Sequence, residues 1–118
     1  MAKLMRLAGQ SICTEYTPSS SGTYINAVWT SLINFFNYDA ATTRLIQRGN
    51  YRYSEWLRII YQELAARRPV YYAGHSSNSG HFFVVDGYKS EDFFHINWGW
   101  YGNKQCSMAN ATTCRAAR

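Results

Sequence analysis

Residues 79–100 read SGHFFVVDGYKSEDFFHINWGW, and this stretch decides the fold. Its β-branched and aromatic residues recur with a period of two, as in strands with one buried face. We read His81 to Asp86 as one strand and Asp92 to Trp98 as the next. The loop Gly87-Tyr88-Lys89-Ser90-Glu91 between them fits a hairpin connection. Just upstream, Val70-Tyr71-Tyr72 reads as a further strand, and Gly74 to Gly80 as a flexible loop of small polar residues.

Ahead of Pro69 the period is helical. Met1 to Gln10 reads as a short helix with Leu4, Met5, Leu7 and Ala8 on one face. Thr17-Pro18-Ser19-Ser20-Ser21-Gly22 is a turn-rich loop. Val28, Trp29, Leu32, Ile33, Phe35 and Phe36 then mark a second helix, whose aromatic stripe is expected in the core. Thr43 to Gln47 reads as a short strand. Ser54 offers an N-cap for a third helix carrying Trp56, Ile59, Ile60, Glu63 and Leu64, which Pro69 stops. Helices followed by an antiparallel sheet give an α+β fold.

Composition narrows the function classes. The chain has 118 residues, 47% of them hydrophobic and 17% aromatic, with only two prolines, which argues against disorder. Its net charge of +5 comes from basic residues scattered along the chain, not from a run, so no nucleic-acid stripe is expected. Cys13, Cys106 and Cys114 are odd in number and share no CxxC spacing, which disfavours a disulfide framework or a structural zinc site. The N-terminal segment carries Lys3 and Arg6 inside its apolar pattern and does not read as a signal peptide. Nor is there an apolar run of membrane-spanning length. Neither a membrane partner nor a cofactor is expected.

The chemistry-bearing pair is His81 and Asn97. If Asp86 faces Asp92 across the hairpin, then His81 faces Asn97. Directly opposed side chains have Cβ atoms roughly 4.5–5.5 Å apart. An imidazole that serves a thiol nucleophile needs a partner to fix its tautomer, and asparagine does this without adding charge. Trp98 is placed to shield such a contact from water. The same two side chains could instead simply satisfy one another in a partly buried sheet. Spacing leaves both readings open. A metal site built from His81 and His95 lacks further ligands nearby in sequence.

Several motifs go further. Ser79-Gly80-His81-Phe82-Phe83-Val84-Val85-Asp86-Gly87 resembles the catalytic-histidine strand of the streptopain family of papain-like cysteine peptidases. Phe94-His95-Ile96-Asn97-Trp98-Gly99-Trp100 resembles that family's Asn-Trp-Gly-Trp segment. Tyr16-Thr17-Pro18-Ser19-Ser20, Gln47-Arg48-Gly49 followed by Trp56, and Pro69-Val70-Tyr71-Tyr72 follow in the family's order, so the resemblance spans residues 1–102. It implies the sheet lobe of a papain-like fold, incomplete here, and peptide-bond hydrolysis through an acyl-enzyme. His81 would be general base and acid, Asn97 would orient it, and Trp98 would pack over that contact. Gly80 and the Ser21–Gly22 loop would meet the polypeptide substrate.

The departures carry equal weight. The family's nucleophilic cysteine follows a glycine and opens a helix upstream of anything present here, and none of the three cysteines matches that context. The implied partners are therefore a Cys-bearing N-terminal half and a propeptide, and the implied location is outside the cell. The isolated chain is expected to be inactive and prone to aggregation. Residues 103–118 lose the family pattern and read as a divergent, disordered or frameshifted tail. A non-catalytic peptide-binding module and a degenerate gene product stand as alternative readings.

Overall fold

A computed structural model of the chain describes residues 1–75, 77 and 79–99, together with the backbone of strand 105–108. Trp100, Tyr101, Gly102, Cys114 and the side chain of Cys106 lie outside the described residues. The chain divides into two compact units, Met1–Gln47 and Arg48–Arg118.

In the first unit, helix α1 (Ala2–Ser11) is followed by β1 (Glu15–Tyr16), β2 (Ser21–Gly22) and helix α2 (Ile25–Phe36). The strands pair antiparallel around the Thr-Pro-Ser-Ser turn, where the Thr17 N–H donates to the Ser20 carbonyl at 2.8 Å. Buried Ser31 of α2 donates to the Ser11 hydroxyl at 2.7 Å, which in turn donates to the Ala8 carbonyl at 2.7 Å. This relay satisfies the buried hydroxyl and ties the two helices together.

Two expectations fail in this unit. The aromatic stripe of α2 is not core: Val28 is buried, but Phe35 is 68% exposed and Phe36 is also exposed. A unit of this size cannot cover all faces of its helices. Leu4, Met5 and Leu7 of α1 are exposed for the same reason. Residues 43–47 are irregular rather than a strand, with the Thr43 carbonyl accepting from the Trp29 indole N–H at 3.1 Å. That backbone finds a side-chain partner in place of a sheet ladder.

The second unit opens with a 3₁₀ turn (Arg48–Asn50) and helix α3 (Tyr53–Ala65). The N-cap is Arg52, two residues before the expected Ser54, and its N–H donates to the Glu55 carboxylate at 2.9 Å. Trp56, Ile60 and Leu64 recur every four residues and form the buried face of α3. A four-stranded antiparallel sheet follows, in the order β3 (Val70–His75), β4 (Gly80–Ser90), β5 (Phe93–Asn97) and β6 (Gln105–Met108). β3 and β4 run longer than their sequence signal. β6 falls in the segment whose sequence shows no strand pattern.

The pairing partners sort the side chains by face. Val70, Tyr72 and Gly74 oppose Val85, Phe83 and His81 on one face. Val85, Phe94 and Ile96 are fully buried there, each contributing roughly 1.5–3 kcal/mol of apolar burial. The β4–β5 ladder slips at two bulges, between Val85 and Gly87 and between Tyr88 and Ser90. The first slip leaves Asp86 unpaired and brings Tyr88 onto the buried face, where its ring meets Tyr61 of α3 edge-on at 4.8 Å. The reversal itself is the tight turn Glu91–Asp92, not the longer loop expected. The assumed hairpin register is thereby overturned.

Candidate active site

With the register corrected, Asn97 pairs with Val84, while His81 pairs with Gly74 on the other side of β4. By strand alternation Asn97 takes the Val84 face and His81 the Val85 face. The facing position assumed from sequence is not formed. His81 is instead approached by the chain as it leaves β5.

That exit is shaped by a short turn. The Asn97 side-chain oxygen accepts from the Gly99 N–H at 2.9 Å, and Gly99 sits at φ +78°, a left-handed conformation that disfavours any side chain. The turn buries the Trp98 indole, which is 6% exposed, against Phe83 at 4.7 Å and against the His81 ring at 5.9 Å. It also brings the Trp98 main-chain carbonyl to 3.0 Å from His81 Nε2. A carbonyl oxygen only accepts, so this bond requires a proton on Nε2. In the neutral ring the lone pair then lies on Nδ1. A half-buried imidazole held in one tautomer by a backbone acceptor, and stacked on an indole, can exchange a proton through Nδ1.

Residues 1–106 match the sequence profile of the Peptidase C10 family. The chain belongs to the peptidase C10 family. It is 36% identical over 102 residues to streptopain of Streptococcus pyogenes serotype M1, covering 86% of this chain and 25% of that protein. It is 39% identical over 102 residues to the thiol protease/hemagglutinin PrtT of Porphyromonas gingivalis, covering 86% of this chain and 12% of that protein. Among solved structures, a fragment of Prevotella intermedia prointerpain A, solved as a cysteine-to-alanine mutant, superposes with TM-score 0.79 at 31% identity. That match covers 91% of this chain and 33% of the other. The C10 chain thus spans about a quarter of the streptopain it matches. Its fold is α+β and papain-like, as the sequence implied.

The other residues that the sequence put forward fall as follows. Gly80 opens β4 opposite His75 and is exposed. Ser21 and Gly22 form β2 in the first unit, both exposed. His95 lies on the Asn97 face, and its Nδ1 is 2.5 Å from an Asp86 carboxylate oxygen, the residue freed by the bulge. Among the described residues, no three His, Cys, Asp or Glu side chains cluster as metal ligands, and no helix is long and apolar enough to cross a membrane. Cys13 is an exposed free thiol just past the C-terminus of α1. The sequence reading named Trp98 for its ring but missed its carbonyl, and it missed Gly99. The Asn-Trp-Gly order was the available signal, since Asx side chains followed by glycine favour such turns.

Proposed function

We propose that this chain is the histidine-bearing part of a cysteine endopeptidase whose nucleophile lies on a Cys-bearing segment upstream of residue 1 in the parent protein. The observation that carries the reading is the Trp98 carbonyl at His81 Nε2, which leaves Nδ1 as the basic atom. Nδ1 takes the proton of the thiol, and the thiolate attacks the peptide carbonyl carbon to give a tetrahedral oxyanion. As the C–N bond breaks, the imidazolium returns the proton to the leaving amine. A water molecule, deprotonated by the same nitrogen, then attacks the thioester, and the acid product leaves with the cysteine restored.

In this scheme Asn97 orients His81 through the backbone, by holding the turn that delivers the Trp98 carbonyl. The Trp98 indole shields that bond from water, where a hydrogen bond is strengthened by low local polarity. Gly80, beside the histidine, supplies backbone to an extended polypeptide substrate; the resemblance separately offers Ser21 and Gly22 of the first unit as a substrate contact. The parent is secreted and carries a propeptide, in keeping with the family. Residues 1–102 form the peptidase portion and residues 103–118 a divergent tail. Without its cysteine half, the chain hydrolyses nothing.

The test is a chimera in which residues 1–102 replace the matching segment of S. pyogenes streptopain. It should cleave a peptide substrate, and His81→Ala should lower kcat/KM by roughly 10²–10⁴. A folded chimera that is inactive, while still binding peptide, would sink the catalytic reading in favour of a binding module.

A further inference from the structure

The rings on the buried face form a continuous row that reaches His81. Trp56 of α3 meets Tyr72 of β3 edge-on at 5.9 Å. Tyr72 stacks on Phe83 of β4 at 4.9 Å, with 18° between planes. Phe83 packs on Trp98 at 4.7 Å and lies 6.5 Å from the His81 ring at 22°. Phe83 is therefore the shared neighbour of Tyr72, Trp98 and His81, and it is only 7% exposed.

The space for that ring is set by its cross-strand neighbours. Gly74, paired with His81, carries no side chain, and a Cβ there would lie 3.2 Å from Phe83 Cε1. That separation is tight enough that the Phe83 ring would have to shift. The ring is also stacked on Tyr72 and packed on Trp98, so a displacement is felt at Trp98. Interiors packed at this density transmit shape changes rather than absorbing them.

We infer that Phe83 is a positioning residue for the reaction, acting through Trp98, and that Gly74 is needed to seat it. Phe83 fixes the Trp98 indole, the indole fixes its own main-chain carbonyl, and the carbonyl fixes the His81 tautomer. Gly74 acts earlier in the same series by leaving the Phe83 ring in place. The inference rests on the proposed role of His81, and adds two residues that take no proton and form no bond in the reaction.

The His81 tautomer is the readout, because it needs no nucleophile and a merely structural role would not move it. In the 118-residue chain labelled with ¹⁵N, long-range ¹H–¹⁵N correlations at a pH where the ring is neutral distinguish Nε2–H from Nδ1–H. The wild type should show the Nε2–H form. Phe83→Leu and Gly74→Ala should each move the ring toward a mixture of both forms. Gly74→Ala added to Phe83→Leu should change little more, because the atom it crowds is gone. Ile60→Val, a core change on α3 outside the row, should leave the tautomer as in the wild type. A wild-type Nδ1–H ring overturns the assignment of the base and this inference with it. A wild-type Nε2–H ring that persists in whichever folded variant is read, Phe83→Leu or the milder Gly74→Ala, overturns this inference alone.

Discussion

The Nε2 nitrogen of His81 lies 3.0 Å from the main-chain carbonyl oxygen of Trp98, a contact created by the turn after β5. The turn depends on Gly99, whose φ of +78° a β-carbon resists by roughly 1–2 kcal/mol. Gly99→Ala should therefore displace the Trp98 carbonyl. In the streptopain chimera it should lower kcat, by at most the roughly 10²–10⁴-fold that general acid–base catalysis contributes, with little change in KM. A wild-type kcat for Gly99→Ala would show that the turn does not govern the histidine.

Asn97 holds the same turn by accepting from the Gly99 N–H at 2.9 Å. Asn97→Asp keeps an oxygen acceptor in that place, and Asn97→Ala removes it. A typical hydrogen bond contributes about 1 kcal/mol net. The alanine variant should lose about that much stability in urea unfolding, and the aspartate variant less. Equal losses would argue that the side chain is held for another reason.

Helix ends offer a stability test remote from the site. Arg67 follows α3 at φ 60°, with its N–H donating to the Leu64 carbonyl at 2.9 Å and the Arg68 N–H donating to Glu63 at 2.9 Å. This is the left-handed helix ending that glycine favours. Arg67→Gly should raise stability by about 0.5–1 kcal/mol, the relief of strain exceeding the added chain entropy. Asn37, at φ 59° after α2, should gain less from the same change, because asparagine tolerates this region. Thermal unfolding of the two variants side by side measures the difference.

These positions also mark where the sequence stopped being legible. The change of period at Pro69 and the alternation from Val70 onward located the sheet, because burial of one face imposes that pattern directly. The ends of α1, α2 and α3 carry Cys13, Asn37 and Arg67 in the left-handed region, with no glycine to announce them. The bulge at Asp86 inserts one residue without breaking the apolar pattern, so the register of His81 and Asn97 could not be read from spacing. His81, Asn97 and Trp98 were all picked out as residues. The acceptor that meets His81 is a backbone atom, and side-chain identity says nothing about where a carbonyl points.

Tyr71, stacked on Phe82 at 5.5 Å, provides a pH signature. Partial burial pushes its phenol above the usual value of 10.0. The folded form therefore holds its proton at pH values where the unfolded chain has released it. The sign follows: this contribution is fully present below pH 10 and is lost as pH rises through the folded-state value. Urea unfolding on both sides of pH 10 should show wild-type stability falling more steeply than that of Tyr71→Phe. Parallel profiles would contradict the assignment.

Two phenylalanines separate buried from exposed aromatic surface within one chain. Phe94 is fully buried on the α3 face of the sheet, whereas Phe35 of α2 is 68% exposed. Phe94→Ala should remove transfer energy and leave a cavity, costing about 3–5 kcal/mol. For a marginally stable unit that is a large part of its total stability. Phe35→Ala removes a ring already largely in water and should stay within about 0.5 kcal/mol. Circular dichroism melts of both variants decide the matter. Should Phe35→Ala prove as costly as Phe94→Ala, the α2 stripe is covered in solution, and the core assignment read from sequence would stand after all.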